Sequence, residues 1–84
     1  MPYTIVILRH AQRELAAFSQ EAYKRVRDAI RKLSEEPRPP GCAKLSGREG
    51  WRIRVGNYRV IYEIDDARCK LTVVHVGHRR DVYR

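Results

Sequence analysis

The sequence predicts an α+β fold of the order β-α-α-β-β-β, with a two-helix hairpin packed on one face of a mostly antiparallel four-stranded sheet. Apolar and basic residues alternate on both sides of Gly56-Asn57, which is the pattern of a β-hairpin. Apolar residues recur at helical spacing between Ala11 and Leu33. The chain has 84 residues and no internal repeat, which predicts a single small domain, residues 1–84.

The first strand and the first helix follow from two short apolar patterns. Residues 3–8 are almost continuously apolar or β-branched, which is typical of a strand buried in a sheet. Ala11, Leu15 and Phe18 then recur at i, i+4 and i+7 and form one helical stripe. A strand followed directly by a helix is therefore expected at the N-terminus.

The second helix has a clear start and a clear end. Ser19 is a residue type that caps helix N-termini, and Glu21 is favourably placed in the first turn. The inward stripe comprises Ala22, Val26, Ile30 and Leu33. We expect the helix to end near Glu36, because Pro37 and the prolines after it cannot continue a helix.

The central hairpin, residues 51–64, places arginine opposite arginine. Its two-residue Gly56-Asn57 turn fixes the register, so that Arg54 faces Arg59 and Arg52 lies on the same face two residues away. Like charges in directly opposed positions destabilise a sheet. The arrangement therefore indicates that this face binds an anion.

The last strand, Cys69–Val76, comes after a short turn. A register in which Glu63 faces Lys70 as a complementary pair is favoured, and it places Arg59 beside Val74. The helices would then cover Tyr58, Val60, Tyr62, Leu71 and Val73, with His75 on the same side. The strand ends in Gly77, so that His78 and Arg79 are expected beside the arginine-bearing face.

Composition limits the class of partner and the compartment. The net charge is +8, and residues 44–59 hold five basic side chains against one acidic side chain, which favours a nucleic acid or an acidic protein as partner. The two cysteines have no metal-ligand spacing and are expected as free half-buried thiols in the cytoplasm, with one disulfide as the alternative. The longest apolar run, Ile5–Leu8, is too short to cross a bilayer, and no membrane association, metal site or cofactor is predicted.

Several segments, taken in order after a two-helix hairpin, resemble the RelE/ParE superfamily of bacterial and archaeal toxin components. They are Lys44-Leu45-Ser46-Gly47, Trp51-Arg52-Ile53-Arg54, Asn57-Tyr58-Arg59-Val60-Ile61-Tyr62, and Val76-Gly77-His78-Arg79 with Tyr83. The RelE branch is the more similar, and its toxins are ribosome-dependent endoribonucleases that cut messenger RNA in the ribosomal A site. The ParE branch shares the fold and inhibits DNA gyrase.

The resemblance implies a phosphate-binding set and a catalytic set. Arg52 and Arg54 match positions that bind and orient the scissile phosphate, where relatives commonly carry lysine, and Lys44 and Arg48 extend the basic surface toward RNA. The catalytic set comprises Arg59, Arg79, Tyr83 and His78. Arginines would neutralise charge at the phosphate, while the tyrosine, or the histidine in its place, would activate the ribose 2′-hydroxyl without a metal.

Three functions remain open at the level of sequence. The first is a messenger RNA endonuclease that acts on ribosomes and is neutralised by an acidic antitoxin; apolar positions expected to be exposed, Ile61, Val74 and Val76, would suit such a partner. The second is a gyrase inhibitor of the ParE type. The third is a subunit whose arginines hold phosphates without chemistry.

Overall fold

The computed structural model describes residues 2–78 and shows two helices against one five-stranded sheet. The elements are β1 (Thr4–Ile7), α1 (Arg9–Ala16), α2 (Gln20–Lys32), β2 (Ala43–Lys44), β3 (Trp51–Val55), β4 (Tyr58–Asp65) and β5 (Lys70–His78). The spatial order is β1-β5-β4-β3-β2, with β1 parallel to β5 and the other neighbours antiparallel. The α+β class is confirmed, and the sheet has one strand more than predicted.

The sheet departs from the prediction at both edges. Ala43–Lys44 pairs with the start of β3 as a two-residue strand, in a segment whose prolines and glycine indicated only a connection. β1 is an edge strand rather than a buried one, with Val6 exposed and Ile5 and Ile7 packed against the core. A run of apolar residues reports high β-propensity, but it does not reveal whether one or two strands lie beside it.

The helices begin as predicted, and both end earlier. The Ser19 hydroxyl accepts a hydrogen bond from the Ala22 N–H at 3.2 Å and caps α2. Phe18 lies beyond the end of α1, and Leu33 is the C-cap of α2, before the expected end near Glu36. The chain there tightens into i→i+3 turns, and Ser34 bonds to Tyr3 through both its backbone carbonyl and its hydroxyl. The helix thus ends ahead of the prolines, where Ser34 bonds to the residue that precedes β1.

The core lies between the helices and one face of the sheet. Its fully buried members include Val26 and Leu33 from the α2 region and Val60, Tyr62, Leu71 and Val73 from the strands. The predicted inward set is confirmed, with Tyr58 partly buried at the margin. Among residues 2–78 no helix is long and apolar enough to span a membrane.

The two hairpins differ in how well their registers were predicted. Arg54 faces Arg59 in β3–β4, as the Gly56-Asn57 turn required. In β4–β5 the expected register was wrong: Lys70 pairs with Asp65, and a β-bulge lies between Ile61 and Tyr62. The connection is displaced by one residue along the chain, to residues 66–69, where Cys69 adopts φ 50° and its N–H bonds to the Asp66 carbonyl.

The change of register and the bulge affect the side chains of β5 differently. Before the bulge the pairing is displaced by two residues, so Leu71 and Val73 still face inward. After the bulge the displacement is odd and the faces exchange. Val76 is therefore fully buried beside Val60. Ile61 keeps its expected face opposite Arg52 and is nevertheless only 3% exposed, so the expectation that both residues would be exposed to a partner was wrong.

Candidate active site

Three arginines share the face of the sheet that points away from the helices. Arg52 and Arg54 alternate with the buried Ile53 on β3, and Arg59 lies directly opposite Arg54 on β4. Opposed Cα atoms in such a pair are about 5 Å apart. The predicted convergence of Arg52, Arg54 and Arg59, called here the arginine face, is confirmed.

The arginine face has an apolar floor formed by Ile61 and is bordered on β5 by a glycine. Ile61 pairs with Arg52 on the face away from the helices. It does not belong to the core cluster, which lies on the helix side, yet it is only 3% exposed. Long arginine side chains can cover such a residue with their methylene stems, and the Nε atoms of Arg52 and Arg59 are buried. On β5 the position opposite Arg59 is Gly77, which adds no side chain there. The arrangement suits contact with a flat polyanionic ligand.

The predicted phosphate-binding residues Lys44 and Arg48 do not join the arginine face in the same way. Lys44 pairs with Trp51, and paired residues share a face, so it lies on the helix side of the sheet, while Ala43 takes the position opposite Arg52. Arg48 is exposed in the loop between β2 and β3. Neither residue therefore belongs to the arginine face.

His78 is not delivered beside the arginines as expected. It pairs with Tyr58 on the helix side of the sheet, and the two rings meet edge to face with centroids 6.1 Å apart. The Tyr58 ring also packs against the Phe18 ring, with the two ring centroids 4.3 Å apart. The bulge in β5 is the cause, because it exchanges the faces of every residue after it. Arg79 and Tyr83 lie outside the described residues.

A cleft of about 520 Å³ borders the arginine face at the edge of β3. β2 pairs only with Trp51 and Arg52, so within residues 2–78 no strand covers the remainder of this edge. The cleft is lined by the basic residues Lys32, Arg52 and Arg54, by Glu36, and by apolar and proline residues from α2 and the connection after it. Basic side chains thus continue from the sheet face around its edge.

A polar network joins the proline-containing connection after α2 to β4 and to the turn between β4 and β5. The Arg38 guanidinium bonds to both carboxylate oxygens of Asp66 and lies 5.0 Å from the centre of the Trp51 ring. Bonds from Arg38 and from the Tyr3 hydroxyl lower the pKa of Asp66. The Tyr62 hydroxyl donates to the Pro37 carbonyl at 2.8 Å, and burial raises the pKa of this phenol.

One cluster of possible metal ligands was not predicted from the sequence. His10, Glu14 and His75 bring two imidazoles and a carboxylate together between α1 and β5. His10 and Glu14 are four residues apart, a helical spacing that places both on one face and that was visible in the sequence. His75 was expected on the face of the sheet that the helices cover. This was wrong, because the bulge in β5 pairs His75 with Ile61 on the other face. It is half-buried, as expected.

Comparison with known proteins assigns the family. The profile described as ParE toxin of type II toxin-antitoxin system, parDE, matches residues 5–83. The chain belongs to the ParE toxin family. It is thus a toxin of the RelE/ParE superfamily and of the type II toxin–antitoxin class.

Individual relatives are similar over their whole length. Toxin RelG of Mycobacterium tuberculosis is 34% identical, with 100% of this chain and 99% of the relative covered. The RelBE2 toxin–antitoxin complex of the same organism contains a chain with 29% identity and a TM-score of 0.82, covering 94% of this toxin and 100% of that chain. A chain of the archaeal RelE–RelB complex of Pyrococcus horikoshii has 25% identity and a TM-score of 0.84, with coverage of 98% and 100%.

Proposed function

We propose that this toxin is an endoribonuclease that cleaves messenger RNA in the ribosomal A site and so arrests growth. The observation that carries the proposal is the arginine face, where Arg54 and Arg59 are held in direct opposition with Arg52 beside them. Guanidinium groups held this close together can bind the oxygens of one phosphate through charge-assisted hydrogen bonds. The net charge of +8 favours the same type of ligand.

The proposed reaction is an internal transesterification. The ribose 2′-oxygen attacks the adjacent phosphorus and loses its proton to a general base, while the bond to the 5′-oxygen breaks and that oxygen gains a proton. The products carry a 2′,3′-cyclic phosphate and a 5′-hydroxyl. This step consumes no water and requires no metal.

Each residue of the proposed site has a separate role. Arg52 and Arg54 bind the non-bridging oxygens of the phosphate, and Arg59 stabilises the charge that builds on them in the transition state. Arg79 supports the leaving oxygen, and Tyr83 accepts the 2′-hydroxyl proton. A tyrosine has an ordinary pKa of about 10, so this role requires positive charge that favours the ionised form of the phenol. His78 is disfavoured as the base because its ring lies with Tyr58 on the other face.

An acidic antitoxin is the second proposed partner. The M. tuberculosis and P. horikoshii chains of similar fold were both solved with an antitoxin. In this toxin Val6 and Leu8, at 36% and 37% exposure, and Tyr23 are the exposed large apolar side chains of the described region. Val6 lies in β1 and Leu8 directly follows it, and β1 is an edge strand to which an extended segment can add its own strand.

The competing function is inhibition of DNA gyrase, favoured by the match to a profile that carries the ParE description. Primer extension on messenger RNA in a translation extract separates the two. We expect cuts within codons that disappear when ribosomes are omitted. Intact RNA together with gyrase-trapped, broken DNA would establish the competing function instead, and binding of RNA without either outcome would leave only a phosphate-holding role.

The decisive variant is Arg59→Ala, with Arg31→Ala as its control. Arg31 is an exposed arginine on α2, away from the arginine face. We expect Arg59→Ala to lose cleavage and growth arrest while it keeps the far-ultraviolet circular dichroism and antitoxin binding of the wild type. Arg31→Ala should remain fully toxic. Full toxicity of Arg59→Ala would remove the proposed mechanism.

A further inference from the structure

His10, Glu14 and His75 form a compact group of metal-ligating side chains. One ligand atom from each residue lies within 4.8 Å of the others. The imidazole centroids of His10 and His75 are 4.7 Å apart, and Glu14 Oε1 is 3.7 Å from His75 Nδ1. An ion pair between Glu14 and His75 would need only two of these groups. The second imidazole, one helical turn before Glu14, is what gives the cluster the composition of a metal site.

We propose that these three residues bind a divalent transition-metal ion of the zinc class. Two imidazole nitrogens and one carboxylate oxygen are ligands of this class, whereas calcium and magnesium prefer sites built entirely of oxygen. With metal–ligand bonds of about 2.0 Å, tetrahedral ligand atoms lie about 3.3 Å apart. The Glu14–His75 pair is already near that spacing. His10 is exposed at the start of α1, so its ring can move to close the third side.

The surroundings of Glu14 support the site. The Val76 backbone N–H donates to Glu14 Oε1 at 3.0 Å, which holds the carboxylate against β5. Outer hydrogen bonds of this kind orient a ligating carboxylate, which still has lone pairs for a metal. A bound ion would join α1 to β5 beyond the end of β1. Three protein ligands also leave a fourth position for water or for a side chain of a partner.

The site shares no residue with the arginine face, although His75 pairs with Ile61 and so lies beside the floor of that face. Its ligands come from α1 and β5, whereas the arginine face is built on β3 and β4. The cleavage step proposed above uses no metal, so the two proposals succeed or fail independently. The ion would act on the stability of the α1–β5 contact.

Titration of the full-length chain with Zn²⁺ tests the proposal. We expect saturable binding of one ion and a rise in Tm of about 10 °C at a metal concentration about 100 times Kd. Co²⁺ should give d–d absorption without a thiolate-to-metal charge-transfer band. The double variant Cys42→Ser/Cys69→Ser should bind as the wild type does, because neither thiol belongs to the cluster. Loss of binding in that variant would assign the metal to the cysteines and overturn the site.

Single substitutions identify the ligands. His10→Ala, His75→Ala and Glu14→Gln should each weaken Zn²⁺ binding by at least about tenfold, since loss of an outer hydrogen bond alone has such an effect. His78→Ala is the matched control and should bind normally. Glu14→Gln keeps an acceptor for Val76, and His10 is exposed, so both variants should remain folded. Unchanged affinity in His10→Ala and His75→Ala, or no saturable binding by the wild type, would overturn the proposal.

Discussion

Arg54 and Arg59 occupy directly opposed positions on β3 and β4, on the face of the sheet that the helices leave uncovered. Neighbouring positions on that face hold Arg52 and the nearly inaccessible Ile61. A hairpin selected for stability alone would place an acidic or β-branched residue opposite an arginine. The pair therefore links the local energetics of the sheet to the proposed binding of RNA.

Removing one member of this pair should make the toxin more stable and less active. We expect Arg54→Gln to raise the free energy of unfolding by about 0.2–1 kcal/mol, because a like-charge opposition disappears, and to weaken growth arrest. Added salt should narrow the difference in stability by screening the repulsion. Urea denaturation at low and high salt measures both effects. The control Lys24→Gln removes an exposed charge on α2, and its free energy of unfolding should stay within about 0.5 kcal/mol of the wild-type value. A destabilised Arg54→Gln variant would contradict the like-charge argument.

The general base can be assigned by comparing two conservative changes. Tyr83→Phe should abolish cleavage in the translation extract, because the phenol that accepts the 2′-hydroxyl proton is gone. His78→Ala should retain most of the cleavage rate, since the His78 ring lies beside Tyr58 on the helix side of the sheet. Single-turnover rates on programmed ribosomes measure the two variants. The reverse ranking would move the base to His78.

Asp66 should make stability depend on acid pH. Bonds from Arg38 and Tyr3 lower its pKa in the folded state below its value in the unfolded chain. The stabilisation is therefore fully present above the unfolded pKa of about 3.9 and is lost as the pH falls through the folded pKa. We expect Asp66→Asn to be less stable than the wild type at pH 7 and equal to it at the acid end of the series. Chemical denaturation across that series measures the change, and Glu35→Gln, at an exposed site, should not alter the wild-type pH dependence.

Tyr62 should make stability depend on alkaline pH in the opposite sense. Burial raises the pKa of its phenol, so the stabilisation is fully present below the unfolded pKa of about 10 and is lost as the pH rises above it. Tyr62→Phe also leaves the Pro37 carbonyl without its donor, which should cost about 1–2 kcal/mol at pH 7. Above pH of about 10 the variant should lose stability less steeply than the wild type. Tyr23→Phe, an exposed control, should show neither effect in denaturation measured from neutral to alkaline pH.

The central hairpin was predictable because its determinants are local. Gly56 adopts φ 60° in a two-residue turn, and the pairing of Arg54 with Arg59 results from that turn alone. The Ser19 cap was predictable for the same reason, since donor and acceptor lie within one helical turn. The inward face of β5 was also predicted correctly at Leu71 and Val73, because a displacement of two residues preserves the alternation of faces.

By itself the sequence determined the α+β class, the arginine pair and the resemblance to the RelE/ParE toxins, all of which rest on neighbouring residues. Tertiary structure alone decided which way the side chains beyond the bulge in β5 point. That strand borders β1 up to Val73 and then meets α1, where Glu14 accepts the Val76 N–H. The change of neighbour coincides with the extra residue in β5, which turns Val76 into the core, His78 toward Tyr58 and His75 toward His10 and Glu14. No local pattern encodes that change, because the residues that cause it are about 60 positions apart in the chain.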